Sequence, residues 1–236
     1  MIRRVLFLVP TAAVLLACGP TKQEVADSYR DGVLAKKADI VAAAKLVDAQ
    51  HEASLPSCED TRIPLVHSAY GGPSDTAFAM LEWLLHLDDP DHDVPFKLTD
   101  AFRLQEALQW SSEDNPWFDR DERAEDDFAA KFEHVLGLRY LALSRAQNYQ
   151  EPRVVSAESF LPGSVEITTW IVAIDPPKVL CRAEFTATTA EEVTASSFAK
   201  FPDLMSAQFA VRRSLYDAAR KEMNRVLREV SETPGP

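Results

Sequence analysis

The sequence predicts an α+β fold, an antiparallel sheet of three to four strands packed with helices, with long helices at its N- and C-terminal ends. Three features predict it. Apolar residues recur at helical spacing through the first half, alternate with polar ones between Leu138 and Thr188, and return to helical spacing near the C-terminus. Helices, then strands, then a helix is the order of an antiparallel sheet covered by helices on at least one face.

The elements follow in chain order. Over residues 22–53, Val25, Tyr29, Val33, Ile40, Ala44 and Val47 line one helical face, and Gly32 marks a weak middle where the helix could divide. Residues 57–73 read as irregular, because Pro64 and Gly71-Gly72-Pro73 break any period. Ser74 or Asp75 is expected to cap a central helix running to about Leu87, apolar on all sides through Phe78, Met80, Leu81, Trp83, Leu84, Leu85 and Leu87. A loop from Asp88 to Pro95 leads to a helix opened by Thr99 or Asp100 and carrying Phe102, Leu104 and Leu108 to Trp110. A polar loop, Ser111 to Glu122, precedes a helix that ends near Leu136 with Gly137 as its C-cap.

The period then falls to two. Leu138–Arg145 and Val154–Phe160 read as strands. In Ser164–Ile174, Val165, Ile167, Thr169 and Ile171 point one way, and Glu166, Thr168, Trp170 and Val172 the other. Asp175-Pro176-Pro177-Lys178 is turn chemistry leading into Val179–Thr188, with Val179, Cys181, Ala183 and Phe185 expected on one side. So short a link makes the pair an antiparallel hairpin. Pro202 and Asp203 open the last helix, which runs to about Val230. Its stripe of Leu204, Val211, Leu215, Ala219, Met223, Val226 and Val230 faces a core, and Lys221, Arg225 and Arg228 form a solvated face opposite.

The first nineteen residues carry a different signal. Arg3 and Arg4 precede an apolar run from Val5 to Leu16, and the run closes on Leu15-Leu16-Ala17-Cys18-Gly19. That is the layout of an export signal. The apolar run is interrupted by Pro10 and falls short of the ~20 residues a bilayer-crossing helix needs. Leu15-Leu16-Ala17-Cys18 resembles the lipobox of bacterial lipoproteins. The resemblance implies cleavage before Cys18 and acylation of its thiol, so that one partner is the membrane itself. Several acyl chains hold a protein stably where a single one binds marginally. Gly19 stands where an aspartate would signal inner-membrane retention in enteric bacteria, which points to the outer membrane, facing the periplasm or the cell surface. The expected organisation is a signal peptide over 1–17, a lipid-anchored tether over 18–23 and a single α+β domain over 24–236.

Composition narrows the partners. The chain has 37 acidic residues against 25 Lys plus Arg, a formal charge of −12. Without residues 1–17 the bases fall to 23 and the charge to −14. Such a body repels nucleic acid and anionic membrane surfaces, both of which need neutralising cations. With Cys18 acylated, Cys58 and Cys181 remain as an even pair in an oxidising compartment. They are expected to form a disulfide that pins the helical half to the sheet, the alternative being two buried thiols.

Catalytic signals are sparse. The sequence holds no Gly-x-Ser-x-Gly elbow, no phosphate-cradling glycine loop and no His-Glu-x-x-His. His67-Ser68 lies near Ser74 and Asp75, but the latter two are expected to serve as caps. Glu82 and His86 are one helical turn apart, and the loop after them adds His92 and Asp93 together with Asp88, Asp89 and Asp91. Glu82, His86, His92 and Asp93 are therefore candidate metal ligands, although the loop lacks the spacing of a calcium site and also suits a plain solvated turn. Trp117 and Phe118, in the acid-rich stretch Glu113–Asp127, are candidate partner-binding aromatics, or else a lid on the core. No cofactor is expected. The function expected is that of a non-enzymatic, lipid-anchored envelope protein that binds or scaffolds another envelope protein or a cell-wall component. The alternative is an envelope hydrolase or metal-dependent enzyme using Glu82–Asp93.

Overall fold

The computed structural model describes residues 19–50, 55–67, 74–87, 89, 96, 98, 124, 127–156, 159–189 and 204–231. Helix α1, Lys22–Ala49, starts at a capping box: the Thr21 hydroxyl accepts the Glu24 N–H at 3.2 Å, and the Glu24 carboxylate accepts the Thr21 N–H at 2.9 Å. Its 28 residues give a rod of about 42 Å. Val33, Ile40, Ala44 and Val47 are buried, and Val25 and Tyr29 pack beside them, the face expected from spacing. The helix runs unbroken through Gly32. Leu136 fills the space there, with Cδ2 3.2 Å from where a Cβ would stand.

The segment after Ser74 departs from the expected helix. Thr76–Met80 is a strand, β1, buried on both faces, and only Leu81–Leu85 is helical, as α2. A short all-apolar run has no period that separates a buried strand from a buried helix. What decides is pairing: β1 lies parallel to the start of β2 (Tyr140–Gln150), Thr76 opposite Tyr140 through Met80 opposite Ser144. Asp75 is not a cap either. Its Oδ1 accepts the Val66 N–H at 2.7 Å and the Thr76 hydroxyl at 3.0 Å, and its carbonyl accepts the N–H groups of Arg139 and Tyr140. It ties the entry of β1 to that of β2. Helix α3, Phe128–Leu136, lies on the crossover that a parallel pair requires. Gly137 does end α3, but with φ −76° and ψ −8° it stays right-handed rather than adopting a left-handed cap.

The expected strand Val154–Phe160 is instead a small hairpin outside the main sheet, β3 (Arg153–Ser156) against β4 (Ser159–Leu161). It is inserted between β2 and β5 (Ser164–Ala173), which pair antiparallel, and β5 pairs antiparallel with β6 (Lys178–Thr188). The main sheet has the order β1-β2-β5-β6 and is mixed, not purely antiparallel. Alternation in β5 is as expected. In β6 it is interrupted, because Ile171 faces Cys181 while Val172 faces Val179, so Leu180 bulges out. The bulge turns Val179 to the α1 side of the sheet and leaves Cys181, Phe185 and Ala187 on the other.

Helices cover both faces. On one side α1, α2 and α3 bury Ala77, Leu141, Leu143, Trp170 and Val172; on the other α4 (Leu204–Val230) buries Phe78, Ala142, Ile167, Ile171 and Phe185. Val211, Leu215, Ala219, Met223, Val226 and Val230 of α4 are all buried, as their stripe predicts. The chain from Leu55 to Val66 wraps the α4 side. Arg182 donates its N–H to Pro56, Ile63 donates to Val230, and the Ser231 hydroxyl donates to Leu65. The Cys58–Cys181 disulfide is formed and fastens this wrapping segment to β6.

Among the described residues, Gly163 is the one glycine whose missing side chain is a strict packing requirement. A Cβ there would stand 2.6 Å from Gln150 O and Pro152 N, and closer still to Pro152 Cδ. Those backbone atoms hold the return from the hairpin, and the Gly163 N–H and carbonyl are bonded to Thr189. Gly163→Ala should cost about 1–3 kcal/mol, read as a lower urea midpoint at unchanged slope.

Candidate functional site

Four residues were singled out as possible metal ligands, and two of them lie in the described residues. Glu82 is the second residue of α2, which follows β1 directly, and its carboxylate reaches Arg145 of β2. Its Oε1 accepts from Arg145 Nε at 2.7 Å, and Arg145 Nη2 reaches Asp48 Oδ1 on α1 at 2.7 Å. Burial lowers the Arg145 pKa, but the hydrogen bonds the guanidinium donates to Asp48 and Glu82 outweigh it, so it is held above its ordinary value. The arrangement is a three-element clasp joining the end of α1, α2 and β2. Glu82 Oε2 is enclosed with no hydrogen-bond partner among the described residues, so the carboxylate depends on Arg145 alone. His86 is exposed beyond the end of α2, and His92 and Asp93 lie outside the described residues. Among the described residues, no group of three or more His, Cys, Asp or Glu is placed to hold a metal ion.

The clasp yields a stability prediction. Arg145→Met keeps the side-chain length but strands the half-buried Glu82, and should cost about 1–2 kcal/mol. Adding Glu82→Gln should recover part of that loss in a double-mutant cycle. A second substitution that only adds to the first would mean the two side chains are uncoupled.

The hydrolase-like grouping is likewise taken up by structure. His67 Nε2 bonds Asn224 Oδ1 of α4 at 2.9 Å, Ser74 donates to the carbonyls of Val66 and Thr76, and Asp75 holds β1 to β2. Ser68, the partner-binding candidates Trp117 and Phe118, and the lipidation candidate Cys18 lie outside the described residues.

Two surfaces stand out when the elements are laid along the sheet. Lys36 donates to the Leu138 carbonyl at the start of β2, while Asp48 reaches Arg145 halfway along it. The first turns of α1 therefore project past the sheet, resting on α3. Their N-terminal lead is held close: the Pro20 carbonyl accepts the Ala124 N–H at 3.0 Å, next to the Thr21 cap. At the other end of β2, Gln208 of α4 accepts the Val154 N–H and donates to the Pro152 carbonyl, and Arg212 pairs with Glu151. So α4 begins beyond the far end of the sheet, where Ala207 and Val211 pack on Val154 and Phe160 of the hairpin. Helix and strand rises put the start of α4 on the order of 50 Å from the start of α1.

That far tip is where sequence reading missed a surface. Met205 is 83% exposed and Phe209 67%, one turn apart on the α4 face that points away from the hairpin. A signal for it was present: Met205 and Phe209 fall off the stripe that carries Val211 and Leu215, so burying the stripe leaves them in solvent. Among the described residues no helix is long and apolar enough to cross a membrane. Compared with known proteins, the chain matches no family model, no curated protein and no solved structure.

Proposed function

We propose that the chain is a lipid-anchored binding protein of the bacterial cell envelope. Acyl chains on Cys18 hold it to a membrane, with the outer membrane favoured by Gly19, and its body engages another envelope protein or a cell-wall component. The observation that carries the binding reading is the exposed pair Met205 and Phe209. Two large apolar side chains in water at one end of an acidic body are the expected anchors of a contact. The tether supports the geometry. Two residues, Gly19 and Pro20, separate Cys18 from the N-cap Thr21, three chain steps with a reach of about 10 Å, so an acylated chain keeps the α1 end at the bilayer and sends the α4 tip outward. The rival reading, a hydrolase or metal-dependent enzyme built on Glu82–Asp93, has less support because Arg145 already occupies Glu82.

The test is made in intact bacteria. A photo-crosslinking residue replacing Phe209 should capture a discrete envelope component, while one replacing Leu34, exposed on α1, should not. Cys18→Ser should move the protein from the membrane fraction to the soluble one. Equal capture from both positions would remove the tip as the binding surface, and membrane retention of Cys18→Ser would remove the anchor.

A further inference from the structure

Among the described residues β6 is the last strand of the sheet, and they close only half of its outer side. At Arg182 the edge is capped: Ser57 bridges it in parallel, and the Arg182 N–H donates to the Pro56 carbonyl at 3.0 Å. The next residue, Cys58, is disulfide-bonded to Cys181, and the chain turns away through Cys58–Asp60. Beyond Arg182 the ladder with β5 continues without a shift, from Ala183 opposite Thr169 to Thr188 opposite Ser164. In an antiparallel ladder the main-chain groups of successive residues point alternately inward and outward. Since Arg182 points outward, so do Glu184, Thr186 and Thr188. Their outward N–H and C=O groups form a row of about 14 Å with no partner among the described residues.

Natural sheets usually blunt such an edge with proline, lysine or a bulge. The stretch Ala183-Glu184-Phe185-Thr186-Ala187-Thr188 contains no proline or lysine, and the bulge lies before it at Leu180. Phe185 and Ala187 are buried under α4, which holds the strand rigid, while Glu184, Thr186 and Thr188 are exposed. Beside the edge, on the α1 side of the sheet, a depression of about 220 Å³ is lined by Gln147, Glu166, Glu184 and Thr186. Glu166 is bonded to Asn148 and Glu184 is paired with Arg182, yet Glu184 keeps 64% of its side chain in water. A strand added to β6 would place alternate side chains over this depression.

We infer that the outer edge of β6, Glu184–Thr188, is a docking site for an extended segment of another protein with basic side chains at alternate positions. The open main-chain row supplies the hydrogen bonds, and Glu184 and Glu166 supply the preference for lysine or arginine. A second copy of the chain is the poorer occupant, because two bodies of charge −12 repel. The inference extends the reading of the chain as a binding protein but draws its own observations from the β6 edge, so it fails or stands separately from the tests of the anchor and the α4 tip.

The experiment uses the full chain in detergent and a synthetic nine-residue strand of alternating lysine and threonine, with a glutamate–threonine strand as control. The lysine strand should bind saturably, and the amide hydrogens of Thr186 and Thr188, fast-exchanging in the free protein, should become protected. Phe185 and Ala187 are already bonded to β5 and should not change. Glu184→Lys should weaken the lysine strand by roughly tenfold and favour the glutamate strand. Thr186→Pro removes only an outward N–H, which an edge tolerates, and should abolish binding. No saturable binding would overturn the inference. So would binding indifferent to both substitutions, or protection of Thr186 and Thr188 that rises with protein concentration in the absence of peptide.

Discussion

Replacing Cys58 and Cys181 together with alanine should lower the free energy of unfolding by about 4–5 kcal/mol. The two cysteines are 123 positions apart, and in the chain-entropy model the cost of closing a loop in the unfolded state grows with its length. Both are buried, so alanine leaves no stranded polar group. The native ladder at this point is anchored independently by the Ser57–Arg182 bridge and the Arg182–Pro56 hydrogen bond. The folded double variant should therefore keep its far-ultraviolet spectrum and its sheet while its urea midpoint falls. Reduction of the native protein should give a loss of similar size. A double variant as stable as the native chain would mean that the unfolded state is already compact around this loop, and that the bridge restrains little.

Phe132→Ala should cost about 3–5 kcal/mol, the range for removing a fully buried aromatic ring. Phe132 is completely enclosed, stacks on Tyr29 of α1 at 5.4 Å between ring centres, and meets Phe128 edge-on at 5.3 Å. The location makes the loss uneven. From Ile40 to Val47, α1 lies on the sheet, but its first turns extend past the start of β2 and rest on α3 instead. Without the Phe132 ring, amide exchange should quicken between Ala26 and Val33 well before it does between Ile40 and Val47. Uniform quickening would show that α1 opens as one unit with the sheet. The same substitution bears on the proposed anchor, because the loosened turns are those that hold the tether to the body.

Helical spacing found α1 and α4 because each buries a single stripe against a sheet, and burial of one stripe is what writes a period of 3.6 into a chain. The same logic found β5, whose two faces meet different helices. It failed at Thr76–Met80, where the strand is buried on both faces and alternation vanishes. It also failed at Val179, where an extra residue reverses the sides without altering composition. The candidate ligand Glu82 was visible as a carboxylate one turn from a histidine, yet its partner Arg145 is 63 positions away, and pair spacing along a helix carries no trace of it. The open β6 edge was equally hidden, since only knowledge of which strand comes last tells which backbone groups go unpaired.

The sequence by itself determined what is encoded locally: helix faces, turn chemistry at Asp175–Pro177, and the even pair Cys58 and Cys181. Only the tertiary structure decided the parallel placement of β1, the clasp of Arg145 on Glu82 and Asp48, and the surfaces that the described residues leave open at the α4 tip and the β6 edge. The physical reason is range. Periodicity and turn preference act between neighbours in the chain, whereas strand order, ion pairing and exposure are settled by which distant segments compete successfully for the same core.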